Sequence, residues 1–141
     1  MSGKFFKNWG LSFILEFVLT YVWHGIVFVS FYSGQLQKIG HFTADGKLAP
    51  LIAFLALGDI LLGLGYSYFL PAISAVNGKY VVNGLVFGLV ATGSLTILNH
   101  GIIAEWGFGI LFADLCFGII AGLLQGVLQK RLNRVSAPAM A

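Results

Sequence analysis

Charge is what this sequence has least of. Only 9% of its 141 residues are Asp, Glu, Lys or Arg, against about 25% in an ordinary soluble domain, so there is too little charge to coat a surface facing water. The formal balance is +3, but the basic residues fall between apolar runs and form no patch, which excludes a nucleic-acid partner. Cysteine is nearly absent as well. The single Cys116 lies in an apolar run, which excludes an intrachain disulfide and any finger-type metal spacing. Phosphate-cradling glycine loops and Gly-x-Ser-x-Gly elements are also missing, and no nucleophile has a base beside it. The chain therefore reads as a non-enzyme more readily than as an enzyme.

What is present is apolar. Hydrophobic residues make up 58% and aromatics 15% of the chain, and the mean hydropathy is +0.91. A transmembrane helix needs roughly 20 mostly apolar residues. Four runs qualify, at 9–31, 51–70, 82–104 and 108–128. The expected fold is an all-α, integral membrane four-helix bundle forming one transmembrane domain over 1–141, with the lipid bilayer as its first partner. The first run is too long for a signal-peptide core and no small-x-small cleavage site follows it, so it reads as a retained span. Pro50 is placed to open the second helix and Pro71 to close it. The Asn-Gly of "VNGKY" marks a tight turn, whereas the first loop, from Tyr32 to Ala49, is long enough to hold structure of its own.

Lys4, Lys7, Lys79, Lys130, Arg131 and Arg134 share one side of this arrangement, and Lys38 and Lys47 the other. The positive-inside rule then puts both termini in the cytoplasm of a bacterial inner membrane. The tail beyond the basic "QKRLNR" reads as disordered.

One phrase is written twice. "TYVWHGIV" and "TILNHGII" share Thr-x-x-x-His-Gly-Ile followed by a β-branched residue, which aligns Thr20 with Thr96 and His24 with His100. The following spans match in part: "GDILLGL" at 58–64 and "ADLCFGI" at 113–119 align Asp59 with Asp114. Chance recurrence in apolar sequence is one reading. The other is a pair of helical hairpins related as parallel repeats, each with His on its outgoing and Asp on its returning helix.

At about 1.5 Å per residue, Asp59 sits near the midplane, His24 and Asp114 lie farther out, and His100 lies outermost with Asn99 beside it and Thr96 one turn deeper. Glu16 lies on the cytoplasmic side of the midplane. Intramembrane ionisable residues cost several kcal/mol and usually face partners or a pathway. The candidate ligand- or proton-binding set is thus His24, His100, Asp59, Asp114, Glu16, Thr20, Thr96 and Asn99. These groups either bind or pass a small ligand or ion, coupled to protons, or they lock helix register in an accessory subunit of a larger membrane complex. A divalent metal or a bis-histidine haem is a further cofactor option. Glycines at 118, 122 and 126, and small residues at 84, 88, 92 and 96, form ridges suited to close helix packing. These ridges serve the bundle or a homo-oligomer.

The segments "VSFYSGQLQKIG" and "NHGIIAEWGFGILFADLCFG" carry a resemblance. Phe31 and Tyr32 end the first span, Trp106 stands in the loop before the fourth, and Asp114, Phe117 and Gly118 follow early within it. In these residues the chain resembles small four-helix bacterial inner-membrane families of unknown function. That resemblance implies the same fold and carries no activity, and His24 and His100 depart from its pattern.

Overall fold

The computed structural model describes residues 2–46, 49 and 51–134. Lys47 of the basic count, the helix-opening role of Pro50 and the tail from residue 135 lie outside the described residues. Among the described residues there is no strand. The elements are α1 (Gly3–Val22), a π-helical turn (Trp23–Val27), α2 (Val29–Gln35), α3 (Ile52–Asn77), α4 (Tyr80–Ile102) and α5 (Phe108–Arg134). Four helical stretches are long and apolar enough to cross a membrane: Gly3–Val27, Ile52–Asn77, Tyr80–Ile102 and Phe108–Asn133.

Burial runs opposite to that of a soluble protein. Asn8, Ser12, Glu16, Asp59, Ser67, Ser74, Thr96, Gln125 and Gln129 are buried, while Ile14, Phe54, Leu61, Val90, Leu98 and Phe112 are more than half exposed. Water would penalise that distribution by the transfer cost of each apolar side chain. Lipid favours it, because hydrocarbon solvates the outer face and leaves the polar groups to find one another inside.

The helices alternate in direction. Thr20 meets Asp59 while Phe5 meets Tyr68, so α1 and α3 run antiparallel. Thr96 meets Asp114 while Gly84 meets Gly126, so α4 and α5 do the same. Both α1 and α3 also touch α5, through Ser12, Ser67 and Gln129. The start of α1, the α3–α4 turn and the end of α5 consequently share one end of the bundle. That end carries Lys4, Lys7, Lys79, Lys130 and Arg131.

The α4–α5 seam shows why the glycines are spaced as they are. A Cβ on Gly84 would come within 2.8 Å of the Gly126 Cα, one on Gly88 within 2.8 Å of the Gly122 Cα, and one on Gly126 within 2.8 Å of the Val81 Cα. The two ridges therefore face each other inside the protomer, and the face that offered a reason for self-association is already used. The α1–α3 seam has one comparable approach, where a Cβ on Gly63 would lie 2.8 Å from the Phe13 nitrogen.

Three local expectations meet the structure differently. The Asn-Gly turn forms as read: Gly78 takes a left-handed φ of 70°, its N–H bonds the Ser74 carbonyl at 2.7 Å, and the Asn77 Oδ1 accepts the Lys79 N–H. Pro71 does not close α3. It sits inside a helix that continues to Asn77, and such a proline is tolerated where helices are packed in a membrane. The first span is not one regular helix. After Val22 the chain forms a π turn in which the Phe28 N–H bonds the Trp23 carbonyl at 2.9 Å, then breaks at Phe28 (φ −111°, ψ 17°) before α2. Tyr32 and Tyr66 are buried.

Candidate functional site

The site grows from the spacing on α1. Asn8, Ser12, Glu16, Thr20 and His24 recur every four residues, and residues four apart share a helix face, so one polar stripe runs the length of the helix. Ser12, Glu16 and His24 of that stripe meet α5 at Gln129, Gln125 and Asp114, while Thr20 meets Asp59 on α3. The polar contacts divide into two groups.

The first group centres on Asp114. Its Oδ1 accepts the Tyr32 hydroxyl at 2.5 Å and its Oδ2 accepts the Thr96 hydroxyl at 3.0 Å. His24 Nε2 lies 3.7 Å from Oδ1. On the other side of the ring, His24 Nδ1 donates to the Thr20 carbonyl at 3.1 Å, and the Thr20 hydroxyl donates to Asp59 Oδ1 at 3.0 Å. Asp59 is 4% exposed, and its Oδ2 is buried without a hydrogen-bond partner. Tyr32 and Phe117 pack on the His24 ring, with centroids 4.6 and 5.1 Å away. Burial first, and then the Asp114 carboxylate, push the Tyr32 phenol above its ordinary value, so that hydroxyl keeps its hydrogen and remains a donor.

The two threonines of the repeated phrase thus do the same thing, each donating to the aspartate of its own returning helix. The two histidines do not. His24 reaches across to the other hairpin's Asp114, whereas His100 Nδ1 donates to the Trp106 carbonyl at 2.5 Å and its ring stacks on Phe108 at 4.3 Å. His100 joins the group only through Trp106, whose Nε1 donates to the Thr96 hydroxyl at 3.1 Å. Asn99 gives its carbonyl to the Ile103 N–H at the end of α4.

The second group lies toward the basic end. Gln125 Nε2 donates to Glu16 Oε2 at 3.0 Å and to the Ser12 carbonyl at 2.9 Å. Gln129 Nε2 donates to the Ser12 hydroxyl at 2.8 Å and reaches Ser67 at 3.5 Å, and Asn133 Nδ2 bonds Gln129. Glu16 therefore belongs here and not with the aspartates. The sequence reading passed over Ser12, Ser67, Gln125, Gln129, Tyr32 and Trp106 as site residues. For Ser12, Gln125 and Gln129 the available signal was four-residue polar spacing, which places Ser12 with Glu16 and Gln125 with Gln129. Tyr32 and Trp106 were marked only by the family resemblance, and no spacing marks Ser67.

A cavity of about 550 Å³ opens beside His24, between α1, the π turn and α2 on one side and the first turns of α3 on the other. Among the described residues, no three His, Cys, Asp or Glu side chains converge so as to hold a metal ion. The two histidines that would ligate a haem instead occupy separate environments.

Apolar spans, inverted burial and interior polar groups define an integral membrane bundle of four spanning helices. Residues 5–129 match the family described as "Predicted membrane protein (DUF2177)", and the chain belongs to that family, in keeping with the resemblance read from Tyr32, Trp106 and Asp114. No curated protein and no solved structure matches it.

Proposed function

We propose that this protein binds or passes a small ligand or ion, coupled to proton movement, at the intramembrane site formed by His24, Asp59 and Asp114 with Thr20, Tyr32 and Thr96 holding them in place. Its setting is a bacterial inner membrane with both termini cytoplasmic, a reading supported by the basic residues gathered at one end of the bundle. Asn99 and His100 stand apart from the site at the end of α4, and Glu16 serves the inner polar group.

One observation carries the reading. A carbonyl only accepts, so the bond to the Thr20 carbonyl puts a hydrogen on His24 Nδ1. In the neutral ring Nε2 is then a bare lone pair, 3.7 Å from a carboxylate oxygen. The contact becomes attractive when one proton lies between them, on either atom. A histidine lone pair facing a carboxylate, beside a cavity, forms a place where proton occupancy and ligand occupancy affect each other.

Nitrogen NMR of the histidine-labelled protein in liposomes tests this directly. The expected result is a His24 Nε2 whose protonation signal shifts when Asp114 becomes Asn, with His100 unmoved. The groups facing the ring are Thr20 on its own helix, Tyr32 on α2, Asp114 and Phe117 on α5, and Asp59 across on α3. A neutral His24 that ignores Asp114→Asn would overturn the proposal.

A further inference from the structure

The cavity beside His24 has a chemical character of its own. Its walls are hydrocarbon and aromatic, including Tyr21, Val29, Leu36, Leu51, Phe54 and Leu55. Phe54 and Tyr21 are 70% and 56% exposed, so the mouth faces the surrounding bilayer. Its volume of about 550 Å³ falls within the roughly 300–1,000 Å³ typical of small-molecule sites.

Side-chain polar groups belong to the lining residues Thr20, Tyr21, His24, Tyr32 and His41, and for Thr20, His24 and Tyr32 the hydrogens are already committed. The Thr20 hydroxyl hydrogen goes to Asp59, the Tyr32 hydroxyl hydrogen to Asp114 and the His24 Nδ1 hydrogen to a carbonyl. What the two hydroxyl oxygens still offer is lone pairs, and behind each stands a carboxylate. Asp59 does not itself line the cavity; it stands behind Thr20, four residues from the lining Leu55, with its buried Oδ2 without a partner. Among the described residues, no lysine or arginine lines the cavity. An entering polar group must therefore donate hydrogen bonds and gains if it is positive.

We propose that this cavity binds a single-chain lipophilic amine from the bilayer. The hydrocarbon body lies along the α1–α3 walls, and the ammonium donates to the Thr20 and Tyr32 oxygens over Asp59 and Asp114. An ammonium supplies three donors and one positive charge, which matches two spare acceptors backed by carboxylates. A fatty acid would set its own charge against the aspartates, and an alcohol would supply one donor and no charge. The inference rests on the reading of the His24 and Asp114 site for the role of Asp114, and it adds the class of ligand.

The test uses the full chain in phosphatidylcholine nanodiscs and two photoreactive probes, dodecylamine and dodecanoic acid, each with a diazirine at the chain end. The amine is expected to leave adducts on the cavity walls, at 21–29 and 51–55, saturable by unlabelled dodecylamine and about tenfold above the acid, a difference of about 1.4 kcal/mol. Leu55→Trp and Val29→Trp fill the cavity from opposite walls, and each should remove that labelling while leaving the His24 nitrogen signals as they were. Equal labelling by the two probes would overturn the inference. Adducts scattered over the outward helix faces, or labelling that survives both tryptophans, would overturn it as well. Should the amine label as expected while the His24 signals ignore Asp114→Asn, the proton coupling falls and the amine site stands.

Discussion

The α1–α3 hairpin and the α4–α5 hairpin begin from the same phrase and end as different objects. In the second, glycine backbones touch along the seam, Thr96 bonds Asp114, and His100 secures the turn by holding the Trp106 carbonyl. In the first, Thr20 bonds Asp59 in the same way, but the seam has one close approach at Gly63, a π turn interrupts the helix at His24, and a cavity opens beside it. A π turn takes in one residue more than an α turn, and such turns recur at functional sites. The difference teaches that the repeat preserves a helix-pairing device, the Thr–Asp bond, while one copy keeps its histidine for structure and the other frees its histidine to face a partner.

The largest expected break is in the tight hairpin. Gly122→Ile drives a branched side chain into the backbone of α4 and should cost about 3 kcal/mol, the upper end of overpacking penalties, read as lost helicity in a detergent unfolding titration. If the protomer stayed intact and only self-association weakened, the α4–α5 seam would not be what holds that hairpin. Next comes Asp114→Asn, which disturbs Tyr32, Thr96 and His24 together. At about 0.6 kcal/mol for an average intramembrane hydrogen bond, the loss should approach about 2 kcal/mol, measurable by the same titration.

The matched threonines sharpen the comparison further. Thr96→Val removes two bonds, to Asp114 and from Trp106, and should cost about 1.2 kcal/mol, against about 0.6 kcal/mol for Thr20→Val, which removes one. Equal costs would mean that the Trp106 contact contributes nothing. His100→Phe is expected to cost no more than Thr20→Val, about 0.6 kcal/mol, with no change in His24 nitrogen signals or in amine labelling. A change in either would make the two histidines functional equals after all.

Much of this was legible before any coordinates. Low charge and four apolar runs identify the membrane bundle, because length and hydropathy are additive along the chain. The glycine spacing announced a close seam, and the alignment singled out Asp59 and Asp114, but as partners of the two histidines and not of Thr20 and Thr96, which bond them. The π turn was not legible, since "TYVWHGIV" and "TILNHGII" have the same pattern and only the packing of Trp23, Phe28 and Tyr32 distinguishes them. Pro71 misled for a related reason: a proline read as a helix stop in water is carried inside a helix whose neighbours supply the packing. The Glu16, Gln125 and Gln129 group was visible as four-residue spacing, but its partners lie 109 and more residues apart in the chain, and no local rule joins them.

That separation has a consequence for biogenesis. The Glu16 side chain leaves the ribosome 109 residues before the Gln125 that completes it. At roughly 5–20 residues per second of synthesis, the interval is on the order of 10 s. Throughout it, α1 can pair with α3 through Thr20 and Asp59, but Ser12 and Glu16 lack the glutamine amides of α5 that complete them. The final step of assembly thus closes the Ser12 and Glu16 face of the oldest helix against Gln125 and Gln129 of the youngest.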